Sequence, residues 1–186
     1  WHLGRTLVTE DLLPHSKVFL DWLLARAVEH RVDVVVVAGD VYDRAVPPIE
    51  AVRLLDETLR AFAQAKIPML ITSGNHDSPV RLGFGGALSE IAGIHLRTSV
   101  ADISRPALVR DEFGEVAIYG MPYLLPDAVM RDLEAERSHA SVLARAAARV
   151  KEDAAARGLA RTVLVGHALV SGGQLSDSER DIRVGG

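Results

Sequence analysis

The chain contains no cysteine, so it can form neither a disulfide nor a thiolate-held zinc site, and any metal must be held by nitrogen and oxygen donors. That composition suits a reducing cytoplasm, the localisation expected here. No apolar run approaches the ~20 residues a membrane span requires, and no signal-peptide pattern is visible, so no membrane association is expected. Repeats, low-complexity tracts and interdomain linkers are also missing. The formal charge of −4 argues against a generic basic DNA-binding face, because phosphate contacts from Lys and Arg usually dominate nucleic-acid affinity. The sequence begins without an initiator methionine and reads as a fragment. With 186 residues, 48% of them hydrophobic, it can bury one sizeable core, and residues 1–186 read as one domain.

The informative residues recur in one setting. The apolar run Ile67-Pro68-Met69-Leu70-Ile71-Thr72 leads into Gly74-Asn75-His76-Asp77, which delivers an amide oxygen, an imidazole and a carboxylate to a single loop. The run Asp33-Val34-Val35-Val36-Val37-Ala38 ends in Gly39-Asp40-Val41-Tyr42-Asp43, and Thr162-Val163-Leu164-Val165 ends in Gly166-His167. At the start stands Trp1-His2-Leu3-Gly4-Arg5. Ligands of open α/β sheets bind beyond the carboxyl ends of the strands, so these four segments are expected to converge on one edge.

The residue types match a dinuclear metal site. Two divalent cations about 3.5–4 Å apart need a bridging carboxylate plus neutral donors that leave positions open for water and a phosphate oxygen. Asp40 suits the bridge, and Asn75, His167 and His2 suit terminal positions. Gly39, Gly74 and Gly166 suit sharp turns and close approach to the backbone. Asp40 alone would read as an ordinary turn aspartate; the ordered set of motifs carries the reading. His15, His30, His95 and His139 lack such a context and read as surface or helix-end histidines.

Between the motifs the chain alternates as an α/β protein should. Phe19, Leu20, Leu23, Leu24, Ala27 and Val28 form one helical stripe, and Val52, Leu55, Leu59 and Phe62 form another on a helix started by Pro47-Pro48; both are expected in the core. Ala107–Arg110 and Glu115–Gly120, joined through Asp111-Glu112-Phe113-Gly114, read as a hairpin. From about Asp127 to Arg157 the Ala, Arg and Glu content predicts one long helix.

On these motifs the chain resembles the calcineurin-like metallophosphoesterases and, within them, the SbcD-type nucleases related to double-strand-break repair nucleases. The narrower resemblance rests on Trp1–Arg5, on Gly39-Asp40-Val41-Tyr42-Asp43-Arg44-Ala45-Val46-Pro47-Pro48, on His76-Asp77-Ser78-Pro79-Val80-Arg81-Leu82, and on Ser176-Asp177-Ser178-Glu179-Arg180. It implies an α/β two-sheet sandwich flanked by helices, a four-layer αββα arrangement. It also implies DNA exonuclease and endonuclease activity in repair and recombination, with two divalent ions, by resemblance Mn²⁺. His2 would bind the first metal, Asp40 would bridge, and Asn75 and His167 would bind the second. His76 would stand beside the scissile phosphate, oriented by Asp77. Arg5, Arg44 and Arg81 are candidate DNA-phosphate contacts. The implied partners are DNA, an SbcC-like ATPase subunit and a second copy of the nuclease subunit. The family's opening Asp-x-His-x-Gly places an aspartate before Trp1 and its closing Gly-His-x-His falls after Gly186, so this fragment is expected to lack three ligands.

Two rival readings stay open on the residues. One is a phosphatase or small-molecule phosphodiesterase on the same scaffold, against which Val46-Pro47-Pro48 and Ser78–Leu82 weigh. The other is a non-catalytic scaffold that binds DNA or a partner.

Overall fold

In a computed structural model, which describes residues 1–168, each apolar run becomes a strand and each stripe a helix. The elements are β1 (Thr6–Leu7), β2 (Glu10–Asp11), α1 (Leu13–Glu29), β3 (Val35–Ala38), α2 (Ile49–Gln64), β4 (Met69–Thr72), α3 (Pro79–Leu82), α4 (Gly86–Ile91), β5 (Ile94–Arg97), β6 (Ala107–Asp111), β7 (Gly114–Met121), α5 (Pro126–Leu133), α6 (His139–Ala156) and β8 (Thr162–Gly166). A short 3₁₀ turn covers Val100–Asp102. The stretch Ser176–Arg180 lies outside the described residues.

Strands β3, β4 and β5 form an all-parallel sheet in that order, with Val37 opposite Ile71 and Ile71 opposite Leu96. Strands β6 and β7 pair antiparallel as the expected hairpin, and β8 joins β7 in parallel. Three apolar clusters account for the layering. Leu20, Ala27, Ala51, Leu55 and Phe62 of α1 and α2 pack on Val37, Met69 and Ile71 of the first sheet. Tyr119 and Met121 of β7 pack under Leu133, Val142, Ala146 and Val150 of α5 and α6. Between the sheets, Leu70 meets Ala107 and Ile118, with Val34, Val109, Val116 and Val165 against them. The result is the expected α/β sandwich of four layers, αββα. The sheets lie close at Gly120, where a Cβ would lie 2.7 Å from Cβ of the buried Arg97 and 3.0 Å from a Thr72 methyl.

Three expectations need correction. The single helix over 127–157 is two: α5 ends at Glu134, which takes a left-handed φ of 52°, and α6 restarts where the Ser138 side chain accepts from Ser141 N. Helix propensity favours Ala, Arg and Glu but cannot weigh a local cap against it. The stripes reach the core in most positions, with Leu20, Leu23, Leu24, Ala27, Leu55, Leu59 and Phe62 packed there, but not in all. Phe19, Val28 and Val52 are exposed, whereas Ala51, Leu54 and Thr58 of α2 are buried. His95 is not a surface residue: it is half-buried in β5, beside Glu90 and Arg97. His15 is exposed on α1, His30 caps its end and His139 opens α6, as expected.

Candidate metal centre

The site grows from the backbone turn that ends β3. Gly39 takes a φ of 83° and Asp40 one of 48°. The first is free for glycine, whereas the second is a strained conformation costing of order 1 kcal/mol for a residue with a Cβ. His2 shares the strain, with φ 49°. The segment around it runs parallel to the Asp40 loop: His2 N donates to Asp40 O at 2.8 Å, Leu3 N to Val41 O at 2.9 Å, and Asp43 N back to Leu3 O at 3.1 Å. This pairing brings both strained side chains to the same edge.

The loop after β4 is fitted against the same turn. A Cβ on Gly74 would stand 2.1 Å from Asp40 Oδ1 and 2.3 Å from Asp40 N, so no other residue fits there. His76 N donates to Asp40 Oδ1 at 3.1 Å. The buried carboxylate of Asp77 accepts from Val41 N (3.1 Å), Tyr42 N (2.8 Å) and Gly74 N (2.8 Å), tying the two loops together. Asp77 therefore does not orient the His76 ring, contrary to the expectation from sequence. The ring is held instead by the backbone carbonyl of Asp43, which accepts from Nδ1 at 2.7 Å. A buried carboxylate held by three backbone donors is turned toward the loops it ties rather than the neighbouring ring, and nothing in the spacing of His76 and Asp77 reveals that.

His167, at the end of β8, closes the far side. Its Nδ1 lies 2.9 Å from the Ala38 carbonyl, which can only accept, so Nδ1 carries the proton and Nε2 of the neutral ring is a lone pair. Nε2 nevertheless faces another acceptor, Asn75 Oδ1, at 2.9 Å. Asp40 Oδ2 stands 3.6 Å from His167 Nε2 and also 3.6 Å from His2 Nε2. One oxygen thus lies between two imidazole nitrogens, and on the His167 side acceptor atoms face one another with no proton between them, which is the donor set of a cation. Burial pushes the His2 pKa down, and this outweighs the opposing pull of Asp40, so the ring is held neutral as a ligand requires. His2 Nδ1 is buried with no hydrogen-bond partner.

Side chains of adjacent Asn75 and His76 diverge as expected: Asn75 faces His167, and His76 lies edge-on to His2 with ring centroids 4.9 Å apart. The expectation separated His76 from the metals, yet its donor atoms lie within 4.8 Å of those of His2 and Asp40. Arg5 Nε stands 4.0 Å from Asp43 Oδ1, and Arg81 donates to Ala45 O at 3.3 Å, so both line the Asp40 loop. Arg44 is exposed on that loop. Tyr123 was not foreseen: its ring lies edge-on to His167 at 6.2 Å, and its N donates to Ser73 O at 2.8 Å. Its signal was available in Gly120-Met121-Pro122-Tyr123, another strand ending at the same edge.

Among the described residues, no helix is long and apolar enough to cross a membrane. The chain is 32% identical over 188 aligned residues to the D component of the nuclease SbcCD of Staphylococcus saprophyticus subsp. saprophyticus, an alignment covering 100% of this chain and 48% of that protein. The chain thus spans about half the length of the curated relative it matches. The family model for calcineurin-like phosphoesterases matches residues 9–168, a span that takes in the turns bearing Asp40, Asn75 and His76, and His167. With that match laid over a sandwich whose strand ends present metal-type donors, the chain belongs to the calcineurin-like phosphoesterase family.

Proposed function

We propose that this chain is part of the nuclease domain of an SbcD-like, two-metal DNA nuclease, cleaving phosphodiester bonds in DNA repair and recombination. The observation that carries the two-metal part is the place of Asp40 Oδ2, 3.6 Å from His2 Nε2 on one side and from His167 Nε2 on the other. The DNA part rests on likeness to a component of a nuclease along the whole chain. His2 and Asp40 would hold one ion, and Asp40, Asn75 and His167 the other, with Mn²⁺ the expected metal.

Two divalent cations, when bound, supply Lewis acidity toward the phosphate and acidify a water molecule. The protein's own part is positioning and proton transfer. His76, with Nδ1 held by the Asp43 carbonyl, presents Nε2 to the cleft and as imidazolium can donate from it to the leaving oxygen. Asp77 keeps the Asp40 and Gly74 turns in register so that this imidazole and the bridging carboxylate move together. Arg5, Arg44 and Arg81 stand along the same rim and would meet DNA phosphates. The wider reading follows from the same likeness: a cytoplasmic protein whose nuclease domain includes residues 1–186, a paired nuclease subunit, and an SbcC-like ATPase partner.

The test uses the full-length protein with linear duplex DNA and, separately, p-nitrophenyl phosphate, each with Mn²⁺ and with chelator. Mn²⁺-dependent cleavage of DNA that far exceeds monoester hydrolysis is expected. Monoester hydrolysis without DNA cleavage would establish the phosphatase reading, and DNA binding without either activity would establish the scaffold.

A further inference from the structure

Asp43 touches both histidines on the first-metal side, each by a different part of itself. Its backbone carbonyl accepts from His76 Nδ1 at 2.7 Å. Its carboxylate Oδ1 stands 3.6 Å from His2 Nδ1, the buried ring nitrogen that has no hydrogen bond of its own. Arg5 Nε flanks the same oxygen at 4.0 Å. Among the described residues no protein group donates a hydrogen bond to that carboxylate, so it is not a cap or a turn anchor. The backbone N–H of Asp43, donating to Leu3 O, fixes where the residue stands.

We propose that Asp43 is the positioning residue of the first metal site: its carboxylate sets the His2 ring, and its carbonyl sets His76. A carboxylate beside Nδ1 stabilises the proton there, which leaves the Nε2 lone pair directed at Asp40 Oδ2, the position where an ion would share both donors. Such outer partners of metal-binding imidazoles raise ligand basicity and restrict ring rotation. The two contacts differ in how mutation reaches them. Side-chain substitution at Asp43 removes the hold on His2 while the carbonyl, and so the hold on His76, remains.

This inference rests on the two-metal reading, and the experiment separates the two. Mn²⁺ is titrated calorimetrically into full-length wild-type protein, Asp43→Asn, Asp43→Ala and Asp40→Ala, with ¹⁵N imidazole spectra recorded for His2 and His76. Asp43→Ala should weaken one of the two sites about 10–100-fold and leave the other within a few-fold. Asp43→Asn, which keeps an acceptor but loses the charge, should fall between. His2 should lose its single tautomer in Asp43→Ala while His76 keeps its Nδ1–H signature. Unchanged affinity at both sites, equal weakening of both, or loss of the His76 signature together with that of His2 would overturn the proposal. Fewer than two sites in wild type would instead overturn the two-metal reading itself, and two intact sites in Asp40→Ala would overturn the bridging role of Asp40.

Discussion

The carboxylates at the ends of β3 and β4 and those of the second half of the chain live in opposite company. In the second half several are matched to a guanidinium: Asp111 takes both arms of Arg161 at 2.6 Å, Asp127 pairs with Arg137, Glu134 with Arg145, and Asp153 with Arg157 at 2.9 Å. The Asp40 carboxylate has only imidazoles within ion-pair range, His2 and His167, and Asp77 is spent on backbone donors. Arginine pairs neutralise a carboxylate permanently, whereas neutral imidazoles leave its charge to be met by something else. The second half thus carries carboxylates that are already neutralised, whereas the end of β3 carries one that calls for cations.

The comparison can be broken most severely at Asp40. In the full-length protein Asp40→Ala should abolish Mn²⁺ binding at both sites and cleavage with it, measured by calorimetry and a DNA degradation assay. His76→Ala should slow cleavage by about 10²–10⁴, the usual worth of a positioned acid–base group, while Mn²⁺ affinity and DNA binding stay nearly intact. If metal is lost as completely as in Asp40→Ala, His76 is a ligand, which its distance of under 4.8 Å from the His2 and Asp40 donors would then explain. Asp77→Ala leaves buried backbone donors at Val41, Tyr42 and Gly74 without a partner, so it should destabilise the fold by about 3 kcal/mol or more. In a thermal melt that is roughly 6–12 °C.

The smallest effect is expected among the neutralised carboxylates of the second half. The Arg161 guanidinium holds the Asp111 carboxyl down to about 2. A depressed carboxyl pKa stabilises the fold fully above the unfolded value of about 4 and loses that contribution as pH falls toward 2. Melting temperatures of wild type and Arg161→Ala should therefore differ slightly at neutral pH and converge between pH 4 and 2. Metal binding should be unchanged in this variant, and a loss of Mn²⁺ affinity would erase the distinction between the two sets of carboxylates.

Much of this contrast was legible before any coordinates. A strand followed by glycine and a ligand is a local pattern, so β3, β4 and β8 and the donors Asp40, Asn75 and His167 could be read from neighbours in the chain. The hairpin of β6 and β7 was legible for the same reason. What escaped depends on partners distant in sequence. Asp77 accepts from Val41 and Tyr42, 36 and 35 residues away, and His76 donates to a carbonyl 33 residues back. No spacing rule announces either contact. The edges of the α1 and α2 faces were misplaced because the core direction is set by the sheet beneath, which buries Ala51 and leaves Val52 exposed. The strain at His2 and Asp40 is likewise invisible in composition, since nothing about the residue types demands a positive φ.

The central proposal is that the Asp40 carboxylate would be shared by two metal ions. Electron paramagnetic resonance of the Mn²⁺-loaded full-length protein tests it directly, because two Mn²⁺ ions bridged by a carboxylate are magnetically coupled. The expected result is a coupled dinuclear spectrum that disappears in Asp40→Ala. A spectrum of isolated Mn²⁺ ions at full loading would contradict the account.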